Sequence, residues 1–148
     1  MTEELSRTSA LAARHRALGS GLEDWNGMGT AWTYDSDPND EHDAVRDAAG
    51  MFDMSPLKKV FVRGVAAAGV LDHLTTRDMS GIKPGRAAYL SVLTDQGTMA
   101  DDAIVSNNGS DEWMIVHGSG DTMALLEQSA AGKDVDIEFT DDLHDISV

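Results

Sequence analysis

The sequence has no cysteine, which excludes disulfides, thiolate nucleophiles and zinc–sulfur centres together and fits a reducing cytoplasm. It also lacks any apolar run near the roughly eighteen residues of a membrane-spanning helix, so no such helix is expected. The opening, Met1 to Gly21, has no uninterrupted apolar stretch after its basic residues, so no cleaved leader is expected. Positive charge is scarce: 11 Lys and Arg face 26 Asp and Glu, a formal charge of −15. Such a surface repels phosphate backbones and anionic membranes, which argues against nucleic-acid and membrane partners. The acids read as a solvating surface, since no Asp-x-Asp-x-Asp-Gly loop for calcium is present. No phosphate-binding glycine loop, dinucleotide fingerprint, zinc-protease motif or Gly-x-Ser-x-Gly elbow occurs. The five histidines show no ligand spacing, so no metal is expected.

What remains is 148 residues, 41% of them hydrophobic, enough for one domain with a real core. Leu5 to Leu18 reads as a helix stopped by Gly19 to Gly21. Gly27 to Tyr34 reads as a loop leading into an extended segment. A helix over Glu41 to Ala49 is expected, with Asn39 or Asp40 as N-cap and Gly50 in a left-handed closing conformation. Strands are expected at Met51 to Met54 and Leu57 to Arg63. A helix follows at Val65 to Leu74, with Val65, Ala68 and Leu71 on its apolar side. Three further strands, Arg86 to Thr94, Met99 to Ser106 and Glu112 to His117, are joined by hairpin chemistry at Asp95 to Gly97 and Asn107 to Ser110. A helix over Asp121 to Ala131 precedes an alternating strand, Asp134 to Thr140. Leu143 to Val148 begins one more apolar segment and stops, which reads as a truncation. The pattern is α+β, a mostly antiparallel sheet with short flanking helices.

One segment stands out. In Gly97-Thr98-Met99-Ala100-Asp101-Asp102-Ala103-Ile104-Val105, two carboxylates open an apolar strand, so one must point inward and one outward. An inward carboxylate is costly unless hydrogen-bonded. It is either a turn-capping group held by local N–H groups or a functional one.

The order of landmarks resembles the glycine-cleavage T-protein, or aminomethyltransferase, family. Tyr34 is followed by Glu41-His42-Asp43-Ala44-Val45-Arg46 and Gly50-Met51-Phe52-Asp53-Met54-Ser55, matching that family's most specific run. Arg63-Gly64, Pro84-Gly85, Tyr89, the Asp-Asp strand and Trp113-Met114-Ile115-Val116 follow at matching spacing, as do Asp141-Asp142-Leu143 and Ile146-Ser147-Val148. The match runs from about Leu11 to Val148, and implies the N-terminal portion of the family's folate-binding fold with its C-terminal remainder absent.

The resemblance implies tetrahydrofolate as cofactor, bound in a central hole built by several subdomains. It places Asp101 beside the pterin as the catalytic carboxylate and makes Asp102 structural. It makes Tyr89 an aromatic folate neighbour, sets Met51 near the pocket, and aligns His117 with a cofactor-contacting Asn. Glu41 and Arg46 read as bracing the short helix, and His42 as a satisfied core or interface histidine. Trp25, Trp32 and Tyr34 either line a channel or pack. Four departures bear on the donor and the cofactor. The aromatic opening is Trp25-Asn26-Gly27-Met28-Gly29-Thr30-Ala31, without the family's Trp and Pro; Pro56 replaces a His after Ser55; His117 replaces the Asn; and later folate-binding residues lie beyond Val148. Aminomethyl transfer from a lipoyl carrier protein, demethylation of O-, S- or N-methyl compounds, and a non-catalytic folate-binding module are all consistent with these residues. The fragment alone is expected to be inactive.

Overall fold

The computed structural model describes residues 5–118 and 120–148; the first four residues of the opening read for a leader lie outside it. The chain divides into two compact units, residues 1–57 with 141–148, and residues 58–140.

The larger unit, 58–140, is one antiparallel sheet covered on one face by helices. Its strands are β4 (Lys58–Arg63), β5 (Arg86–Leu93), β6 (Met99–Gly109), β7 (Glu112–His117) and β8 (Asp136–Thr140), in the order β5-β6-β7-β4-β8. Helices α3 (Ala67–Leu74) and α4 (Thr122–Ala130) pack against each other, and α3 also meets β7. Alternation puts Val60 and Val62, Leu90 and Val92, Ala103 and Val105, and Trp113 and Ile115 on the covered face, where Val70, Leu71 and Leu126 complete a core. The apolar side of α3 is Ala67, Val70, Leu71 and Leu74. Val65, expected on that side, is exposed and precedes the helix. The reason is Gly64: its φ of +121° turns the chain sharply after β4, so the helix starts two residues later.

A Cβ on Gly64 would stand 2.7 Å from the Asp134 carbonyl oxygen. Gly64→Ala is therefore expected to destabilise the chain by about 1–3 kcal/mol, read as a shifted urea midpoint at unchanged slope. An unshifted midpoint would show that the turn relaxes freely.

Hairpin chemistry sets the register elsewhere. Ser110 and Asp111, at φ +52° and +59°, join β6 to β7 in a two-residue turn of type I′ character, so β6 runs on to Gly109 rather than stopping at Ser106. Near the other end of β6, the pairing shifts between Val92 and Leu93 at a bulge whose extra residue is Ala100.

The smaller unit holds α1 (Ala12–Ala17), the hairpin β1 (Glu23–Trp25) and β2 (Met28–Thr30), α2 (Pro38–Asp47), and β3 (Phe52–Asp53) paired antiparallel with β9 (Ile146–Ser147). The closing apolar segment thus has a strand partner. The opening helix is shorter than expected, because Ser9 does not continue it: its hydroxyl bonds the Asp53 carboxylate and accepts from the Leu11 N–H. The N-cap of α2 is Asp37, two or three residues before the expected Asn39 or Asp40. Its side chain takes the Asn39 N–H at 2.8 Å, and Pro38 occupies the first helical position. Gly50 is not left-handed; α2 ends at Asp47, with Ala48 as its C-cap. The glycine is needed for close approach, since a Cβ there would lie 2.3 Å from a Val45 methyl. Among the described residues no helix is long and apolar enough to cross a membrane.

Candidate functional site

Alternation on β6 turns Asp101 inward and Asp102 outward, as the strand geometry requires. Asp101 is 9% exposed. Its Oδ2 accepts from the Thr122 hydroxyl at 2.8 Å, the His117 ring Nδ1 at 3.1 Å and the Gly120 N–H at 3.1 Å, while Oδ1 accepts the Asp102 N–H at 2.9 Å. Burial alone would raise this carboxyl. The Thr122 hydroxyl, the His117 ring and the Asp102 N–H outweigh it and hold Asp101 below the ordinary carboxylate value. Asp101 therefore stays ionised at neutral pH. The chain passes very close here: a Cβ on Gly120 would sit 2.3 Å from the Ala100 carbonyl oxygen and 2.8 Å from the Asp101 Cβ.

His117, at the end of β7, is 1% exposed. Burial pushes its imidazole below the ordinary histidine value, against the pull of Asp101. A neutral ring that donates from Nδ1 carries a lone pair on Nε2. Among the described residues that Nε2 is the one buried side-chain polar atom without a hydrogen-bond partner. The sequence signal for this pair is the register itself: β6 and β7 are neighbours, and Ala103 stands opposite His117.

Of the other two expected cofactor residues, Tyr89 belongs to the same sheet and Met51 to the smaller unit. Tyr89, 63% exposed, lies on β5 opposite Ile104, on the face of the sheet away from the helices. Its hydroxyl donates to Asp102 Oδ2 at 2.7 Å. Met51, 62% exposed, belongs to the smaller unit and lines a cavity of about 900 Å³ there. Trp25, Trp32 and Tyr34 line the same cavity, with Trp25 and Trp32 rings 5.6 Å apart. Glu41 accepts the Ser36 hydroxyl, bracing the start of α2. His42 is not a core histidine: its side chain is 71% exposed, beside Asp43 and at the cavity wall. Short polar α2 buries none of its residues, so its histidine has no interior to enter.

Sequence reasoning passed over a second network in this unit. His15 on α1, Tyr34 and Asp53 on β3 are linked by short hydrogen bonds, and all three line the cavity. In the sequence Asp53 stands only as part of a motif and His15 only as one of five scattered histidines. No spacing rule joins residues 15, 34 and 53. No group of three or more His, Cys, Asp or Glu placed to hold a metal occurs among the described residues.

A helix-covered antiparallel sheet with an ionised carboxylate and a neutral imidazole at adjacent strand ends places the chain among α+β proteins with a buried acceptor pair. Residues 11–148 match the family model described as the GCVT N-terminal domain, and the chain belongs to that family. Among curated proteins it is 51% identical over 142 residues to the heme-dependent oxidative N-demethylase gamma subunit of Ectopseudomonas mendocina, covering 96% of this chain and 38% of that protein. It is 36% identical over 137 residues to an aminomethyltransferase of Streptomyces coelicolor, covering 90% of this chain and 36% of that protein. The crystal structure of the glycine cleavage system aminomethyltransferase T from Bartonella henselae matches with a TM-score of 0.80 at 26% identity, over 91% of this chain and 38% of that one. The chain thus spans little more than a third of the length of these relatives.

Proposed function

We propose that the chain contributes part of a tetrahydrofolate site and serves, within a full-length protein of this family, the transfer of a one-carbon unit onto that cofactor. The observation that carries this reading is the buried acceptor pair: an ionised Asp101 with one lightly used oxygen beside a His117 Nε2 that has no partner. A reduced pterin presents N–H groups along its edge, and two buried acceptors suit such donors in kind. The cofactor supplies, when bound, the nucleophilic ring nitrogen that receives the one-carbon unit. Asp101 is the proposed catalytic carboxylate: held ionised in a low-dielectric setting, it orients donors and stabilises positive charge that develops during transfer. His117 accepts a second donor and, through Nδ1, keeps Asp101 in place. Tyr89 offers an exposed ring for a folate neighbour.

For the donor, an N-methyl compound is favoured over an aminomethyl-lipoyl carrier. The relative from Ectopseudomonas mendocina is named as an N-demethylase subunit, and the aromatic opening has lost the family's Trp and Pro. Alone, the 148-residue chain is expected to bind tetrahydrofolate weakly and to turn over nothing; calorimetry giving micromolar affinity, about −8 kcal/mol, would contradict this. In the full-length protein, Asp101→Asn is expected to lower the transfer rate by about 10²–10³, assayed where the variant is folded. An unchanged rate would remove Asp101 from its role.

A further inference from the structure

The smaller unit contains a partly buried relay that the folate reading does not use. Asp53 Oδ2 accepts from the Ser9 hydroxyl and from His15 Nε2 at 2.9 Å, and Oδ1 accepts the Ser55 N–H at 3.0 Å. These donors overcome the cost of burial and hold Asp53 down to about 2, so it is ionised at neutral pH. An ionised Asp53 requires the hydrogen of the His15–Asp53 bond on Nε2, and in the singly protonated ring that leaves the lone pair on Nδ1. The Tyr34 hydroxyl, 2.8 Å from Nδ1, is then the donor of that bond. Tyrosine hydroxyl to imidazole to carboxylate is a chain of one polarity, the arrangement by which a hydroxyl becomes a base.

Three features of the wall select a ligand. The Tyr34 oxygen keeps its lone pairs for a donor in the cavity. Trp25, Trp32 and Phe52 supply aromatic surface, which attracts cations and alkyl groups alike. Two carboxylates, Glu41 and Asp53, face one guanidinium, Arg14, with His15 and His42 the remaining titratable side chains besides Tyr34. Burial raises the Tyr34 phenol above its ordinary value, and the Glu41 and Asp53 charges raise it further. Tyr34 is thus a poor acid by itself and sits where a neighbouring cation is favoured. A ligand with positive charge, alkyl bulk and an N–H satisfies all three.

We propose that this cavity binds a protonated secondary or tertiary alkylamine and takes its proton through Tyr34 into His15. The ammonium N–H bond breaks as its proton moves to the Tyr34 oxygen, and the Tyr34 O–H bond breaks as its own proton moves to His15 Nδ1. The products are a neutral amine with a free lone pair and a His15 imidazolium paired with the Asp53 carboxylate. Charge is conserved: a cation and an anionic triad become a neutral amine and a neutral triad. The inference concerns the smaller unit alone and stands or falls apart from folate binding.

Two probes differing by one N–H test it on the whole chain: protonated N,N-dimethylbenzylamine and N,N,N-trimethylbenzylammonium. Calorimetry is expected to show saturable binding of both, the first about tenfold tighter. Only the first should move the His15 ring nitrogens to imidazolium shifts in ¹⁵N NMR. Tyr34→Phe, which removes one hydroxyl, should equalise the two affinities and abolish the His15 change. Glu41→Gln, on a helix that buries nothing, should weaken both probes by a similar factor of about three to ten and leave the His15 response to the first. Equal or tighter binding of the quaternary probe to the wild-type chain overturns the proton transfer. No saturable binding of either up to about 10 mM overturns the site. Insensitivity to both substitutions overturns the assignment of residues.

Discussion

Asp101→Ala is expected to cost about 3–5 kcal/mol of stability, measured by urea unfolding at neutral pH. The loss comes less from the missing charge than from the donors left behind. The Thr122 hydroxyl, the His117 Nδ1–H and the Gly120 N–H all converge on Oδ2, and Thr122 and His117 are almost wholly buried. No alanine can receive them. Asp101→Asn should cost less, about 2 kcal/mol, because one acceptor oxygen survives while the new NH2 group opposes donors. The sequence-based view of Asp101 as either a capping group or a functional one is thereby sharpened: the carboxylate is a structural clasp whatever else it does. Activity loss in an Asp101 variant must accordingly be measured below its lowered melting temperature. A change under about 1 kcal/mol in the alanine variant would show that water or a rearranged loop replaces the carboxylate.

Acidification is expected to destabilise the chain in two stages. His117 lies below its ordinary 6.5 in the folded protein, so the unfolded chain binds its proton first. The stability contributed by neutral His117 is present above pH 6.5 and declines as the pH falls toward the lowered folded value. The second stage belongs to carboxylates. Asp53 falls from 3.8 unfolded to about 2 folded, a stabilisation of about 2 kcal/mol that is full above 3.8 and lost as pH drops through 2. Asp101, also lowered, adds to the same stage. Urea midpoints from pH 8 to 2 should therefore fall in two steps. His117→Asn should flatten the upper step, and Asp53→Asn the lower. Stability that rises between pH 7 and 5 would mean that His117 is protonated against Asp101, and would reverse the assignment of the free Nε2 lone pair.

The larger unit was the more legible in the sequence. Glu112 to His117 was read to the residue, and β4, β5 and α4 to within one or two, because alternating apolar residues and turn residues such as Gly97 and Gly132 fix both period and ends. The inward turn of Asp101 followed from the same period. The smaller unit was less legible. Its helices are set by side-chain bonds rather than by a buried stripe: Ser9 diverts the chain toward Asp53, and Asp37 rather than Asn39 or Asp40 caps α2. The His15–Asp53 bond spans 38 residues and the His15–Tyr34 bond 19, distances over which no local rule speaks. His117 stands out only by its alignment with a family position, whereas its partnership with Thr122 and Gly120 around Asp101 is set by the fold.

Asp101 and Tyr89 occupy opposite sides of one sheet only a few residues from its end, near the Thr94–Gly97 turn. No small planar molecule passes through a hydrogen-bonded ladder, so anything touching both must curl over the rim like a hook over a shelf. Length and bend, more than bulk, then govern what such a molecule must have.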